Sequence, residues 1–588
     1  MERKLLSAMT LRLLLAATLL LASACHHTPP SPGSSDAGAV APDAAIAVDG
    51  GGNPTDAAIT ADAGEPDSGC VVIPSGDPDV VATQRGNVRG KVSASSIAFL
   101  GIPYAEPPLG SRRWAAPIAH ACWADVRDAT DYGSRCAQRA PAGNFIGGED
   151  CLFLNLWTPA VLAPRTGKLP VMFFIHGGAN VIGSADEGAS AVYGNLANDA
   201  GNLYDGQQLA ESRQVVVVSA NYRLGALGFL THPALAAQSP TGTSGNYAYL
   251  DLILALKWVR ENAEAFGGDP SRVMVFGESA GGMATCMLLV SPLAKGLFSS
   301  ALMESGSCVA PTAASRESEG QKLAMDVGCA MEPDIVACLR AKSAADLFAL
   351  PAQSVNFFNY QKDIGHLWDL DWGPNVDGYL LPDAPITVLR QGKHNHVPFA
   401  LGTNADEAEL FLPAVINTCA DFTADMTLRF GATLAVDILA RYPCLTTVPR
   451  WAEVSVITDL GFKCPARRIA RAVAASQAEP VFRYQDTHVY RTSALAALRA
   501  FHAAELPFVF GTFAQMIYLP TAGEQTLSTN IQGYWSRLAA QGDPNGDAAF
   551  VWPAYSIDHE LSLSLDETLA VDEKLTAANC DFWDQLAE

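Results

Sequence analysis

The sequence predicts an α/β protein built on a mostly parallel sheet. Three continuous apolar runs are separated by helical patterns, and one of them runs straight into a glycine-flanked serine. The runs are Val171-Met172-Phe173-Phe174-Ile175, Val215-Val216-Val217-Val218 and Arg272-Val273-Met274-Val275-Phe276. A strand buried on both faces needs apolar side chains at every position, whereas a half-exposed strand alternates. Between the second and third runs, residues 250–266 repeat apolar side chains at helical spacing and stop at Gly267-Gly268-Asp269-Pro270, a helix-ending sequence. Strand, helix, strand in that order implies a parallel sheet with covering helices.

Ahead of the sheet lie two segments of different texture. Arg3, Lys4 and Arg12 precede an apolar run over 13–22, too short to span a bilayer and placed as a signal peptide, residues 1–24. Ala22-Ser23-Ala24 fits ordinary signal cleavage. The same residues followed by Cys25 resemble a bacterial lipobox, and a long polar tether after the cysteine favours lipidation at Cys25. Residues 25–79 are rich in Ala, Asp, Gly, Pro and Ser and carry no Lys or Arg. So few large apolar side chains cannot offset the entropy of ordering, which predicts a disordered tether. From residue 80 to Glu588 no second break in composition occurs, so 80–588 reads as one large domain with long insertions.

Composition narrows the function. Hydrophobic residues make up 49% and charged residues 17% of 588, enough for a large core. The net charge of −23 argues against nucleic acid or an anionic membrane surface as partner. Membrane contact is expected only through the lipid anchor.

The chemistry begins after the third apolar run, at Gly277-Glu278-Ser279-Ala280-Gly281-Gly282, followed by a helical pattern over 283–290. A Gly-x-Ser-x-Gly turn between strand and helix holds the serine in a strained conformation and exposes its hydroxyl at the carboxyl end of the sheet. The helix N-terminus then points at it. Ser279 is thus the candidate nucleophile. His176-Gly177-Gly178-Ala179 follows another strand end, where small residues can present backbone N–H groups. Gly178, Ala179 and Ala280 would form a three-donor oxyanion hole, in which one donor is typically worth roughly 3 kcal/mol of barrier. His176 reads as structural. Eleven histidines compete for the role of base, and acids after Ser279 include Asp377, Asp406 and Glu407. His394 and His396 flank one Asn, but two ligands without a third are better read as a surface loop than as a metal site.

Several further segments occur in a consistent order. They are Glu149-Asp150-Cys151-Leu152-Phe153-Leu154-Asn155, Asn221-Tyr222-Arg223, Asp377-Gly378, 402–407, 502–511, Gly542-Asp543-Pro544-Asn545 and Trp552-Pro553. Together with the serine turn they resemble the type B carboxylesterases, the cholinesterase-like branch of the α/β-hydrolases, over about residues 80–583. The resemblance implies an α/β-hydrolase fold with a large, mostly parallel sheet covered by helices. It implies Glu407 as the acid, Asp406 being the alternative, and His502 as the base. Ala408 stands where the family usually has Gly. Glu278 and Ser305 resemble residues lining the family's site. The resemblance also implies the disulfides Cys136–Cys151, Cys329–Cys338 and Cys464–Cys580. Cys419–Cys444 and Cys70–Cys122 are pairings of the remainder, and Cys286 and Cys308 are expected to stay free.

The expected activity is therefore hydrolysis of a small-molecule carboxylic ester by an exported enzyme, through Ser279, Glu407 and His502 and an acyl-enzyme. Such chemistry needs side chains, backbone and water, so no cofactor or metal is implied. Two alternatives remain at this point: a catalytically inactive binding or adhesion module of the same fold, and a serine hydrolase of amides, thioesters or lactones. By the resemblance a choline ester is disfavoured: in the choline-specific branch the loop between Cys136 and Cys151 carries a Trp that binds the quaternary ammonium, whereas here it holds Phe145 and no Trp. Phe357, Phe358, Tyr360, Trp368 and Trp372 read either as pocket walls or as core aromatics.

Overall fold

The structure is a computed structural model that describes residues 70, 76–140, 143–160, 167–189, 193, 201–349, 372–412, 416–444, 448–516 and 518–587. The expected signal peptide, Cys25 and nearly all of the tether lie outside the described residues, as do Phe357, Phe358, Tyr360 and Trp368. No helix among the described residues is long and apolar enough to cross a membrane.

The described residues form one sheet of thirteen strands beside a small two-stranded ribbon. In chain order the main-sheet strands are β1 (Val80–Ala82), β2 (Asn87–Val92), β3 (Ser96–Pro103), β4 (Arg127–Ala129), β5 (Phe153–Pro159), β6 (Leu169–Ile175), β7 (Val216–Ala220), β8 (Gly268–Glu278), β9 (Ser300–Glu304), β10 (Phe399–Asn404), β11 (Val481–Asp486), β12 (Leu561–Leu565) and β13 (Ala570–Glu573). Across the sheet the order β7-β6-β8-β9-β10-β11-β12 is parallel throughout. Antiparallel strands flank it: β1, β2, β3 and β5 on one side, with β4 parallel to β2, and β13 on the other.

The apolar runs occupy the middle of this parallel block. Successive side chains point to opposite faces. Accordingly Val171, Phe173, Ile175, Val273 and Val275 enter one core cluster, while Met172, Phe174, Met274 and Phe276 enter the other. Two covered faces explain why no polar alternation is seen. The crossover from β7 to β8 carries helix α1 (Tyr247–Asn262), prolonged by a 3-10 turn over Ala263–Phe266. It ends at Gly267, whose φ of +81° closes the C-cap without a Cβ penalty. Helix α2 (Ala280–Val290) follows β8 and is buried on every side. An all-apolar helix of this kind belongs in a core.

A third cluster lies under α3 (Cys419–Arg441), α4 (Pro449–Thr458), α5 (Cys464–Ala474) and the C-terminal helix, with Phe422, Ile438 and Trp583 at its centre. Between α5 and that end of the chain come α6 (Leu506–Phe510), α7 (Ala522–Gln541) and finally α8 (Ala577–Ala587).

All twelve cysteines after Cys25 are paired, as Cys70–Cys122, Cys136–Cys151, Cys286–Cys308, Cys329–Cys338, Cys419–Cys444 and Cys464–Cys580. The expectation that Cys286 and Cys308 stay free is corrected. Cys286 sits in α2 and Cys308 just beyond β9; because β8 and β9 are neighbours, the Cα atoms come within 5.6 Å, a bridging distance. Six disulfides point to an exported or extracellular protein.

Candidate active site

The parallel strands end together, and the candidate residues sit where they end. Ser279 caps α2 with φ +59° and ψ −119°, a conformation that L-residues adopt only under constraint. Its N–H donates to the Glu304 carbonyl at 3.0 Å, and its own carbonyl accepts the Met283 N–H at 2.9 Å. The glycines are required by close approach. A Cβ on Gly281 would lie 1.9 Å from the Ile175 carbonyl oxygen, and one on Gly277 would lie 2.6 Å from Gly281.

The loop after β6 packs directly on this turn, since a Cβ on Gly177 would come 3.1 Å from the Ser279 Cβ. Gly178 and Ala179 both have positive φ, 108° and 54°. His176 is buried beside the turn. Its Nδ1 bonds the Gly177 carbonyl at 2.8 Å, its ring stacks on Tyr222 at 4.4 Å, and burial lowers its pKa to about 4.

His502 reaches the same place from the loop between β11 and α6. Its Nδ1 lies 2.6 Å from Oε2 of Glu407, which opens a 3-10 turn (Glu407–Leu410) after β10. The other Glu407 oxygen accepts the Asn404 N–H at 2.7 Å, so both oxygens of this fully buried carboxylate are partnered. Nε2 of His502 lies 3.0 Å from Oε1 of Glu278, off the line of a hydrogen bond, and has no hydrogen-bond partner, Ser279 included. Phe411 and Phe462 wall the ring at 4.9 and 5.4 Å. Two tyrosine hydroxyls steady its loop: Tyr193 donates to the Ala503 carbonyl and Tyr490 to that of Ala504, each at 2.7 Å. Burial alone would lower the His502 pKa, but Glu278 and Glu407 outweigh it and raise the pKa well above the ordinary imidazole value.

The other candidates lie elsewhere in function. Asp406 faces Arg499 at 3.7 Å rather than the imidazole. Asp377 caps a turn, accepting the N–H groups of Tyr379, Leu380 and Leu381. His394 bonds Gln477 and His396 bonds the Gly392 carbonyl, each at 2.9 Å. No group of three or more His, Cys, Asp or Glu side chains suited to a metal ion is present among the described residues.

Two acids behind the serine escaped the sequence reading. Glu304, at the end of β9, accepts Trp535 Nε1 at 2.5 Å, and burial pushes its pKa up to about 8. Glu505 accepts Asn404 Nδ2 at 2.5 Å; burial first, then Glu278, Glu304 and Glu407, raise its pKa well above the carboxylate range. The available signal was an acid closing the apolar strand Ser300–Glu304, and another three residues after His502.

Comparison with known proteins shows the family and the fold. The carboxylesterase family model matches residues 77–583. Para-nitrobenzyl esterase of Bacillus subtilis (strain 168) is 36% identical over 517 residues, covering 85% of this chain and 96% of the relative. Cholinesterase of Mus musculus is 31% identical over 555 residues, covering 86% of each chain. A solved PNB esterase structure superposes with a TM-score of 0.71 at 33% identity, over 86% of this chain and all of the other. With a parallel sheet, a strained serine turn at its carboxyl end and likeness along nearly the whole domain, the chain belongs to the carboxylesterase family.

Proposed function

We propose that this carboxylic ester hydrolase works through Ser279 as nucleophile, His502 as general base and Glu407 as the acid that orients it. The supporting observation is the 2.6 Å contact of Glu407 with Nδ1, which leaves Nε2 facing the turn that carries Ser279. In the first half-reaction His502 takes the hydroxyl proton as Ser279 attacks the ester carbonyl, and the N–H groups of Gly178, Ala179 and Ala280 hold the oxyanion. The imidazolium then protonates the departing alcohol. In the second half-reaction water, activated by the same base, releases the acid from the acyl-enzyme. Catalytic hydrogen bonds are often loose before substrate binds, which fits the unpartnered Nε2.

The substrate is read as a neutral small ester. Phe145, the aromatic of the Cys136–Cys151 loop, is 41% exposed and stands 6.2 Å from Phe348, so the loop offers one phenyl ring rather than an indole to a cation. Trp372 is packed in the core, which favours its reading as a core aromatic. Residues 1–24 are read as the signal peptide, Cys25 as the lipidated anchor point and 25–79 as the tether of the catalytic domain 80–588.

Hydrolysis of short and medium p-nitrophenyl acyl esters by the purified protein, beside Ser279→Ala, tests the reading. The substitution should cost on the order of a millionfold in turnover. A folded parent that cleaves no ester, or an active Ser279→Ala protein, would refute it.

A further inference from the structure

The turn after β6 places three consecutive residues in the left-handed region: Gly178, Ala179 and Asn180, with φ of 108°, 54° and 63°. Such a run makes a tight turn that fixes the direction of its successive N–H groups. For Ala179 it is sterically costly, so the turn has to be held from outside. Part of the hold is local, since the N–H groups of Val181 and Ile182 both donate to the Gly178 carbonyl at 3.0 Å.

The rest comes from Asn180. Its side chain is fully buried, and its Nδ2 donates to the Trp372 carbonyl at 3.2 Å while resting 3.9 Å from the Met283 sulfur in α2. Its main-chain carbonyl accepts the Gly225 N–H at 2.7 Å. The segment beyond Trp372 is fixed in turn. Asn375 donates its N–H to Asn246 Oδ1 at 3.0 Å, and its Nδ2 to Thr231 Oγ1 and the Ser244 carbonyl at 3.1 Å each. Hydrogen bonds and the short backbone stretch from Trp372 to Asn375 thus tie the turn beside Ser279 to the core. Asparagine suits the position twice over, because it tolerates the left-handed region and carries an amide donor.

We propose that Asn180 is a positioning residue whose amide bridge to Trp372 aims the Gly178 and Ala179 N–H groups at the oxyanion. The inference rests on the reading of those two groups as oxyanion donors. A donor aimed at the transition-state oxygen and not at the ground-state carbonyl acts on kcat, leaving KM nearly unchanged. The bridge also couples that aim to the 372–375 segment.

Three substitutions separate the bridge from the backbone conformation. Asn180→Gly keeps the left-handed turn and removes the amide. Asn180→Asp keeps shape and conformation but sets a carboxylate against the Trp372 carbonyl. Asn180→Ala loses the amide and strains the turn. Measurements on the full-length protein are kcat and KM on p-nitrophenyl butyrate, affinity for an aryl trifluoromethyl ketone that forms an oxyanion on the serine, and Tm. The glycine and aspartate variants should both lose about ten- to a hundredfold in kcat, a misaimed group being that costly, with KM changed less than about threefold. Ketone affinity should fall in the same proportion. If glycine and aspartate retain full kcat and only alanine is impaired, the conformation matters and the bridge does not. Loss of ketone affinity without loss of kcat, or failure of both variants to fold, also overturns the proposal. A parent inert on every ester removes the oxyanion reading beneath it, an outcome distinct from active parent and unaffected variants.

Discussion

Two histidines of this protein stand between paired carboxylates, in different surroundings. His502 lies 2.6 Å from Glu407 and 3.0 Å from Glu278; His488 lies 2.8 Å from Asp566 and 3.0 Å from Glu524. Both are buried, and in both the neighbouring acids raise the pKa against the lowering effect of burial. At His488 both ring nitrogens are committed by hydrogen bonds. Its partner Glu524 also accepts the Tyr518 hydroxyl and the Thr521 N–H, and it completes the capping box of α7. At His502 only Nδ1 is committed. A general base needs one nitrogen free to meet a proton. Charge environment is therefore shared between the two sites, and the uncommitted nitrogen is what separates them.

Equivalent substitutions at the two sites give the largest contrast. Glu407→Gln leaves the hydrogen-bonding shape but favours the wrong tautomer of His502, and it should lower kcat by about three to four orders of magnitude. Asp566→Asn, the same change beside His488, should leave steady-state turnover within about twofold, as surface-side changes remote from the chemistry do. Comparable losses at both sites would show that His502 is no more catalytic than His488.

The pH profile of kcat/KM sharpens the distinction. In the proposed mechanism the neutral form of His502 is the base, so activity should be lost as pH falls through its raised pKa. The acid limb should accordingly lie above the value of about 6.5 expected for an unperturbed histidine. Glu278 is the stronger of the two carboxylates acting on it. Glu278→Gln should move the limb to lower pH while His488→Gln leaves it in place. A limb that stays fixed, or moves upward, in Glu278→Gln would place the controlling titration elsewhere.

The parts of this site that the sequence exposes are those built by local geometry. The serine turn is legible because Gly277 and Gly281 have no room for a side chain, and the central strands because both their faces are covered. Glu407 and His502 lie 95 residues apart on separate loops, and no local pattern joins them. Only the resemblance picked them from several acids and eleven histidines. Glu304 and Glu505 escaped notice because an acid at a strand end or in a loop ordinarily faces water, and only distant segments packing over them, Trp535 and Asn404 among them, bury them. Cys286–Cys308 escaped for a related reason. An even cysteine count cannot say which residues adjacent strands bring together, and this pair joins a helix to the loop beyond the next strand. The bracketing of His488 is also purely three-dimensional, its acids lying 36 and 78 residues away.

The smallest effect on activity, and the one that tests the structural half of the comparison, belongs to His488→Gln. Folding raises the His488 pKa. Its charged form therefore adds stability that is fully present below the unfolded value of about 6.5 and is lost as pH rises through the folded one. Asp486 acts in the same sense. Burial pushes its pKa up to about 7, and the His488 charge restrains that rise, so removing the imidazole removes a partner that matters only while it is protonated. The variant should be destabilised by about 1–3 kcal/mol at pH 5.5, the range for losing hydrogen bonds to charged groups. At the entropy of unfolding typical of a chain this long, that is a Tm lower by about 1–3 °C. The difference should shrink by pH 9 while kcat at the optimum stays that of the parent. A Tm difference that widens with pH would mean that His488 serves as a neutral ring. The two histidines would then differ in charge as well as in commitment, and the raised pKa of His502 would itself become a mark of the active site.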